Sequence, residues 1–205
     1  MKITNNISVS GFRDDLIEGI FTESQTIFVP ENQKYSTRIL HMSGPISLKV
    51  ILAGEQSECD IKIVYLSNKN NHNNIKVEVI HQYKNTASSQ IIKGILTDNS
   101  KMVFDGIIRI PKDSQHCDGH QNHRAILLSD TATVQATPEL EIYADDVKCS
   151  HGSAVGALDE NHLFYLLSRG IPMDEAKKIL LKSYVMEILP ETWEQYVDEW
   201  MDENV

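Results

Sequence analysis

PELEIYADDVKCSHGSAVG, running from Pro138 to Gly156, is where one kind of structure hands over to another. It ends a strand-like run with Cys149 and His151, two residues apart, and a helix-start signal follows at Leu158-Asp159-Glu160. Upstream the chain reads as β-structure and downstream it reads as helix. The one soft-ligand pair on a well-defined element therefore sits at the architectural switch.

Working back from that stretch, ISLKVILA from Ile46, DIKIVYL from Asp60 and IKVEVIHQY from Ile75 alternate apolar and polar residues with period two. They are rich in β-branched side chains, the signature of strands with one buried face. SSQIIKGILTD and KMVFDGIIRIP continue the pattern, joined by Asp98-Asn99-Ser100, and RAILLSD and TVQATPELEIYADDVKCSH complete it. The asparagine-rich block Ser67 to Asn74 reads as a solvated bend, and KDSQHCDGHQNH from Lys112 reads as an irregular polar connector. Short apolar pieces at Ile7-Ser8-Val9, Thr26 to Val29 and Arg38-Ile39-Leu40 are broken by polar and turn residues. Strands at this spacing suit a sandwich, a barrel or a β-solenoid, and no residue-level repeat chooses among them.

Working forward, the period changes at Asp159, a good N-cap. Leu163, Phe164, Leu166 and Leu167 then make an apolar face that Gly170 ends. Pro172 opens a second helix with Asp174 and Glu175 in its first turn. Its apolar positions are Ala176, Ile179, Leu180, Tyr184, Met186 and Ile188, and Pro190 stops it. TWEQYVDEWMDENV predicts a third helix with Trp193, Val197 and Trp200 on one stripe. The tryptophans call for contact with the body or with a partner. The expected division is a β body over 1–157 and a helical segment over 158–205 that caps its end.

In a chain of 205 residues, a net charge of −10 disfavours a nucleic-acid role, and no cluster of lysines and arginines stands out. No apolar run is long enough to span a bilayer, and MKITNNISVSGF lacks a leader's apolar core. The unpaired set Cys59, Cys117 and Cys149 fits reduced thiols in a cytoplasm.

On a strand, residues i and i+2 leave the same face, so the Cys149 sulfur and the His151 imidazole can converge on one soft metal centre. Two ligands fall short of the usual closed set of four, which suggests a site shared across a subunit interface or a transient one. The bland alternative is a structural cysteine beside a hydrogen-bonded histidine. A second cluster, His116, His120 and His123 with Cys117 between them, could serve a cupin-like metal-dependent β-barrel enzyme; its bland alternative is a solvated connector. Asp145 and Asp146 are adjacent and so do not form an acid/base pair. No nucleophile elbow, phosphate loop or dinucleotide fingerprint is present, and an enzymatic role is not expected.

From PELEIYADDVKCSHGSAVGALDENHLFYLLSRGIPMDEAKKILLKSYVMEIL, with RAILLSD and KGILTDNSKMVFDGIIRI, the chain resembles the SufB/SufD family of iron–sulfur cluster assembly proteins, and its KCSHG form is the SufD type. The resemblance implies a mainly β fold: a right-handed parallel β-helix (β-solenoid) with a C-terminal α-helical cap. It implies a non-enzymatic scaffold that works with a SufC-like ABC ATPase and with a SufB-like subunit or a second copy of itself. His151 is then the candidate ligand of a transient iron–sulfur cluster or iron at the subunit interface, with Cys149 beside it. The ATPase would dock on the C-terminal helices around Leu163, Phe164, Arg169, Gly170, Ile171 and Pro172, and this chain would bind no nucleotide. A SufD-like interaction protein that never handles iron is the remaining alternative. The chain departs from the family in its shorter length, in lacking an N-terminal helical region, and in carrying His123 where a Gln-x-Asn-Arg run has asparagine.

Overall fold

Period-two alternation does what the sequence suggests: along Pro45–Leu52 and Lys101–Ile110 every second side chain is buried. The computed structural model describes residues 24–205 and a short strand at Ile7–Ser8. Val9 and most of MKITNNISVSGF lie outside the described residues, as does the rest of the expected β body before residue 24. The strands are β1 Ile7–Ser8, β2 Ser24–Val29, β3 Lys34–His41, β4 Pro45–Leu52, β5 Glu58–Ser67 and β6 His72–His81. They continue with β7 Ala87–Leu96, β8 Lys101–Ile110, β9 Cys117–Leu127, β10 Thr133–Ile142 and β11 Val147–Gly156. Among the described residues one sheet has the order β1-β2-β4-β6-β8-β10 and the other β11-β9-β7-β5-β3. Every pairing is parallel.

From β2 onward successive strands alternate between the two sheets, so the chain winds as a parallel β-solenoid of about 4 turns. The barrel alternative falls here, because both sheets are open and parallel instead of closing on each other. Inward side chains stack in columns from turn to turn. Ile46, Ile75 and Phe104 make one column, and Val50, Val79 and Ile108 another. Residues such as Val50, Ile61, Ile63, Val77, Val79, Ile92 and Phe104 are wholly buried in this stack. Each contributes about 1.5–3 kcal/mol over an exposed position.

A repeat does exist, but it is written in backbone conformation. Ala87 lies beside Glu58 and Asp118 beside Ala87, about 30 residues per turn. Asn32, Gln56, Asn85 and His116 all take φ near +60° at the corner before β3, β5, β7 and β9. Lys69 and Asp98 do the same before β6 and β8. Stacked corners share backbone hydrogen bonds, Asn32 N–H to Glu55 O and Asn85 N–H to Gln115 O, both 3.0 Å. The residue types differ from corner to corner, which hides the period from a reading by letters.

The segment from Cys117 read as a connector is instead strand β9. Its inward row is Cys117, Gly119, Gln121, His123 and Ala125, all buried, so a strand this polar faces the interior. Only apolar alternation signals a strand to a sequence reading, and this row carries almost none.

The helices are α1 Glu160–Ser168, α2 Met173–Met186 and α3 Glu194–Asn204, the last preceded by a 3₁₀ turn at Glu191–Trp193. Asp159 caps α1 by accepting the Asn161 and His162 N–H groups. Gly170, at φ +83°, closes it: the Gly170 N–H donates to Leu167 O and the Ile171 N–H to Leu166 O. The helical segment does not plug the solenoid's end. α2 and α3 lie on the outer flank of the five-stranded sheet, over Leu40, Val64, Leu66 and Ile95. Those outward strand positions are apolar and need a cover, and Leu181, Val185, Trp193, Val197, Trp200 and Met201 supply it. Both tryptophans thus find the body. Leu181 and Val185 face it in place of Ile179, which is 41% exposed. Lys93 pins the flank: its Nζ donates to Tyr184 O (2.7 Å) and Glu187 Oε2 (2.6 Å) and sits over the Tyr184 ring.

Candidate functional site

The last turn differs from those beneath it. No residue of β10 or β11 is buried, and among the described residues β11 pairs with β9 alone. Register places Cys149 beside Gly119, His151 beside Gln121 and Ser153 beside His123. Cys149, His151 and Ser153 therefore continue the inward row of β9 onto a turn with no further turn above it among the described residues. Expected to share a face, the thiol and the imidazole do so.

The two are not equally exposed. His151 is exposed, while Cys149 is half-buried against Ile108, Ile110, Cys117 and Ala144, with Leu140 and Val147 beside them. Burial raises the Cys149 thiol pKa, the Gly119 N–H opposes that, and Cys117 and Asp118 add to it. The sulfur is thus a thiol at neutral pH, a soft ligand that must lose its proton to bind.

Beneath this rung the interior is polar. Gln121 Nε2 donates to Gln90 Oε1 (2.8 Å), and both side chains are buried. His123 is bonded at both nitrogens, Nε2 to Tyr65 Oη (2.9 Å) and Nδ1 to Ser153 Oγ (3.0 Å). Its ring stacks between Tyr65 and Phe104. His81 lies between Thr86 Oγ1 and Ser88 Oγ, each at 2.8 Å. Burial lowers the pKa of both His81 and His123 to about 4, so both imidazoles are neutral. Close approach of side chain to backbone makes room for these groups. A Cβ on Gly106 would collide with the Gln121 amide, and one on Gly94 would fall within the Tyr65 ring.

The second histidine cluster does not assemble. His116 is a corner residue whose Nδ1 meets Asp146 Oδ2 at 2.9 Å. His120 faces outward between Asp118 and Ser150, and His123 is sealed inside. An odd spacing along a strand sends His120 and His123 to opposite faces. Among the described residues no group of three His, Cys, Asp or Glu side chains is placed to hold one ion. Asp145 and Asp146 fall in the corner between β10 and β11, where the Asp146 N–H donates to Gln115 Oε1.

At the helical end, α1 buries no residue. Phe164 is 71% exposed, and Tyr165 and Met173 are exposed nearby. Leu163 and Ile171 are half-buried, Gly170 and Pro172 are exposed, and Arg169 lies over the Tyr165 ring at 5.2 Å. The named residues thus form one apolar helix face and the turn that follows it.

The interior polar groups Gln90, Gln121, His81 and Ser88 were missed as site candidates. The signal for them was there: polar residues at alternate positions, in register with strands that already looked apolar.

The family profile described as "SUF system FeS cluster assembly, SufBD core domain" matches residues 24–184. The iron-sulfur cluster assembly protein SufD of Escherichia coli (strain K12) is 35% identical over 137 residues, 67% of this chain and 32% of that protein. SufD of Bacillus subtilis (strain 168) is 30% identical over 140 residues, 68% of this chain and 32% of that protein. The chloroplastic protein ABCI7 of Arabidopsis thaliana is 40% identical over 113 residues, 55% of this chain and 24% of that protein. The matched part of the chain thus spans a third or less of the length of these curated relatives.

Proposed function

The chain belongs to the SufBD core domain family, and from that premise we propose that it is a non-enzymatic scaffold subunit in iron–sulfur cluster assembly. The observation that carries the reading is the unpartnered end rung. On β11, Cys149 and His151 share one row, and no strand follows on its far edge among the described residues. An uncovered strand edge is a template for another strand. A SufB-like subunit or a second copy of this chain, joined there, would bring the missing ligands to a transient cluster or iron. Half a ligand set on each subunit suits a cluster that must be handed on, since a closed cage of four ligands holds its metal.

The exposed face of α1, with Leu163 and Phe164, and the turn Arg169-Gly170-Ile171-Pro172 would dock a SufC-like ABC ATPase. Nucleotide chemistry would belong to that partner, in a cytoplasm or an equivalent plastid compartment. No helix among the described residues is long and apolar enough to cross a membrane. Docking would reach the end rung through α2, which rests on β7 and β9 by way of Lys93 and the bond from Tyr184 Oη to Arg124 O.

The test is co-purification with an ABC-type ATPase and a SufB-like subunit under strict anaerobiosis, followed by iron and sulfide analysis. The expected result is iron and sulfide in the complex that His151→Ala reduces to background, with Cys149 labelling that changes when nucleotide is added. A His151→Ala complex with undiminished iron and sulfide would leave an interaction protein that handles no iron. Nucleotide-independent labelling would remove the coupling.

A further inference from the structure

Gln121 carries an unpaired atom where an unpaired atom is costly. Its side chain is 2% exposed, and its Nε2 is committed to Gln90 Oε1, but Oε1 has no hydrogen-bond partner. A buried amide oxygen left bare keeps its full desolvation penalty, so such an atom calls for a reason. The surroundings offer few donors. Gly106, across the interior, lends only space, and its neighbour on the last turn is Pro138, with no N–H. Both nitrogens of His123 are taken by Tyr65 and Ser153. Gln90 Nε2, in the same inward row one rung down, is also buried without a partner and does not bond Oε1; on the other side the row offers His151, the register partner of Gln121, one rung up at the spacing of about 4.8 Å between neighbouring strands.

The geometry points to Gln121 as the positioning residue for His151: its free Oε1 accepts one ring N–H of His151 and leaves the other nitrogen to bind what enters at the end rung. This rests on the ligand reading of His151 above and adds the group that orients it. Histidines that bind metals generally donate their second ring N–H to such an oxygen, which fixes the tautomer and raises ligand basicity. Oε1 is unpaired and His151 exposed. Ligand binding would order the imidazole over the amide and satisfy both.

The experiment compares wild type, Gln121→Leu, Gln121→Glu and His151→Ala, with Co²⁺ as the probe. Calorimetry measures the component of Co²⁺ binding that His151→Ala removes, and thermal melts are run alongside. Gln121→Leu is expected to weaken that component about 10–100-fold while the melting temperature holds or rises, and Gln121→Glu to restore it. A merely structural amide would move the melting temperature and not the affinity. Nitrogen-15 NMR of the Co²⁺-free wild type with diamagnetic Zn²⁺ added should show one fixed His151 tautomer, which requires no variant to fold. Affinity within twofold of wild type in Gln121→Leu, or a mixed tautomer with Zn²⁺ bound, overturns the role of Gln121 and leaves the His151 reading standing. If His151→Ala removes no binding, the ligand reading falls, and the role of Gln121 with it.

Discussion

Along the five-stranded sheet, the inward row changes character from one turn to the next. On β5 it reads Cys59, Ile61, Ile63 and Tyr65, all buried. On β9 it reads Cys117, Gly119, Gln121 and His123, still buried but now polar. On β11 it reads Cys149, His151 and Ser153, with no buried residue left. The middle turns are enclosed by a turn on each side and can bury apolar groups fully. Among the described residues the last turn has a neighbour on one side only, so polar groups cost less there. The solenoid thus keeps its stability in the middle and, on the proposed reading, its chemistry at the end.

The contrast breaks most visibly in the middle. Phe104→Ala empties a wholly buried position in the column of Ile46 and Ile75, stacked on His123. It should cost about 4 kcal/mol in a denaturant melt. A loss below about 1 kcal/mol would mean that the middle turns are not the stable part.

Acid sharpens the comparison next. His123 titrates near 6.5 in an unfolded chain and about 4 when folded, because burial disfavours the charged ring. Between those values the unfolded state binds the extra proton, so stability is full above pH 6.5 and falls as pH drops toward 4. This one histidine accounts for about 3 kcal/mol of that loss. His123→Phe, which retains the stack, should flatten the pH dependence of the melt by that amount.

A smaller effect separates the flank from the core. Lys93→Met keeps the aliphatic contact but strands the Tyr184 carbonyl, and should cost about 1–2 kcal/mol. Protease sensitivity should rise in residues 158–205 before it rises in the strands. Smallest of all, His151→Ala at the exposed rung should alter stability by less than about 0.5 kcal/mol. A larger change in an equilibrium melt would make His151 part of the fold and not a free ligand.

Some of this was readable in the letters. Period-two alternation in β4, β6 and β8, the Asp159 cap and the Gly170 stop are local signals, and each appears where it was expected, whereas α2 ends at Met186, short of Pro190. β9 was not readable, because its inward row is polar and resembles a loop. The positive-φ corners were hidden too, since asparagine, glutamine and histidine occupy equivalent places in successive turns. His116, His120 and His123 looked like one cluster because they are close in sequence. Two pointing opposite ways on a strand and one at a corner are not a cluster.

By itself the sequence determined the switch from strand to helix, the family, and the pairing of Cys149 with His151 on one strand face. These depend on neighbours within a few residues or on a contiguous motif. Tertiary structure alone decided that the helices cover the flank, that His123 is sealed while His151 is open, and that Gln121 lies beneath it. Those relations join residues 30 to 91 positions apart or more, and only the winding of the chain brings such residues together.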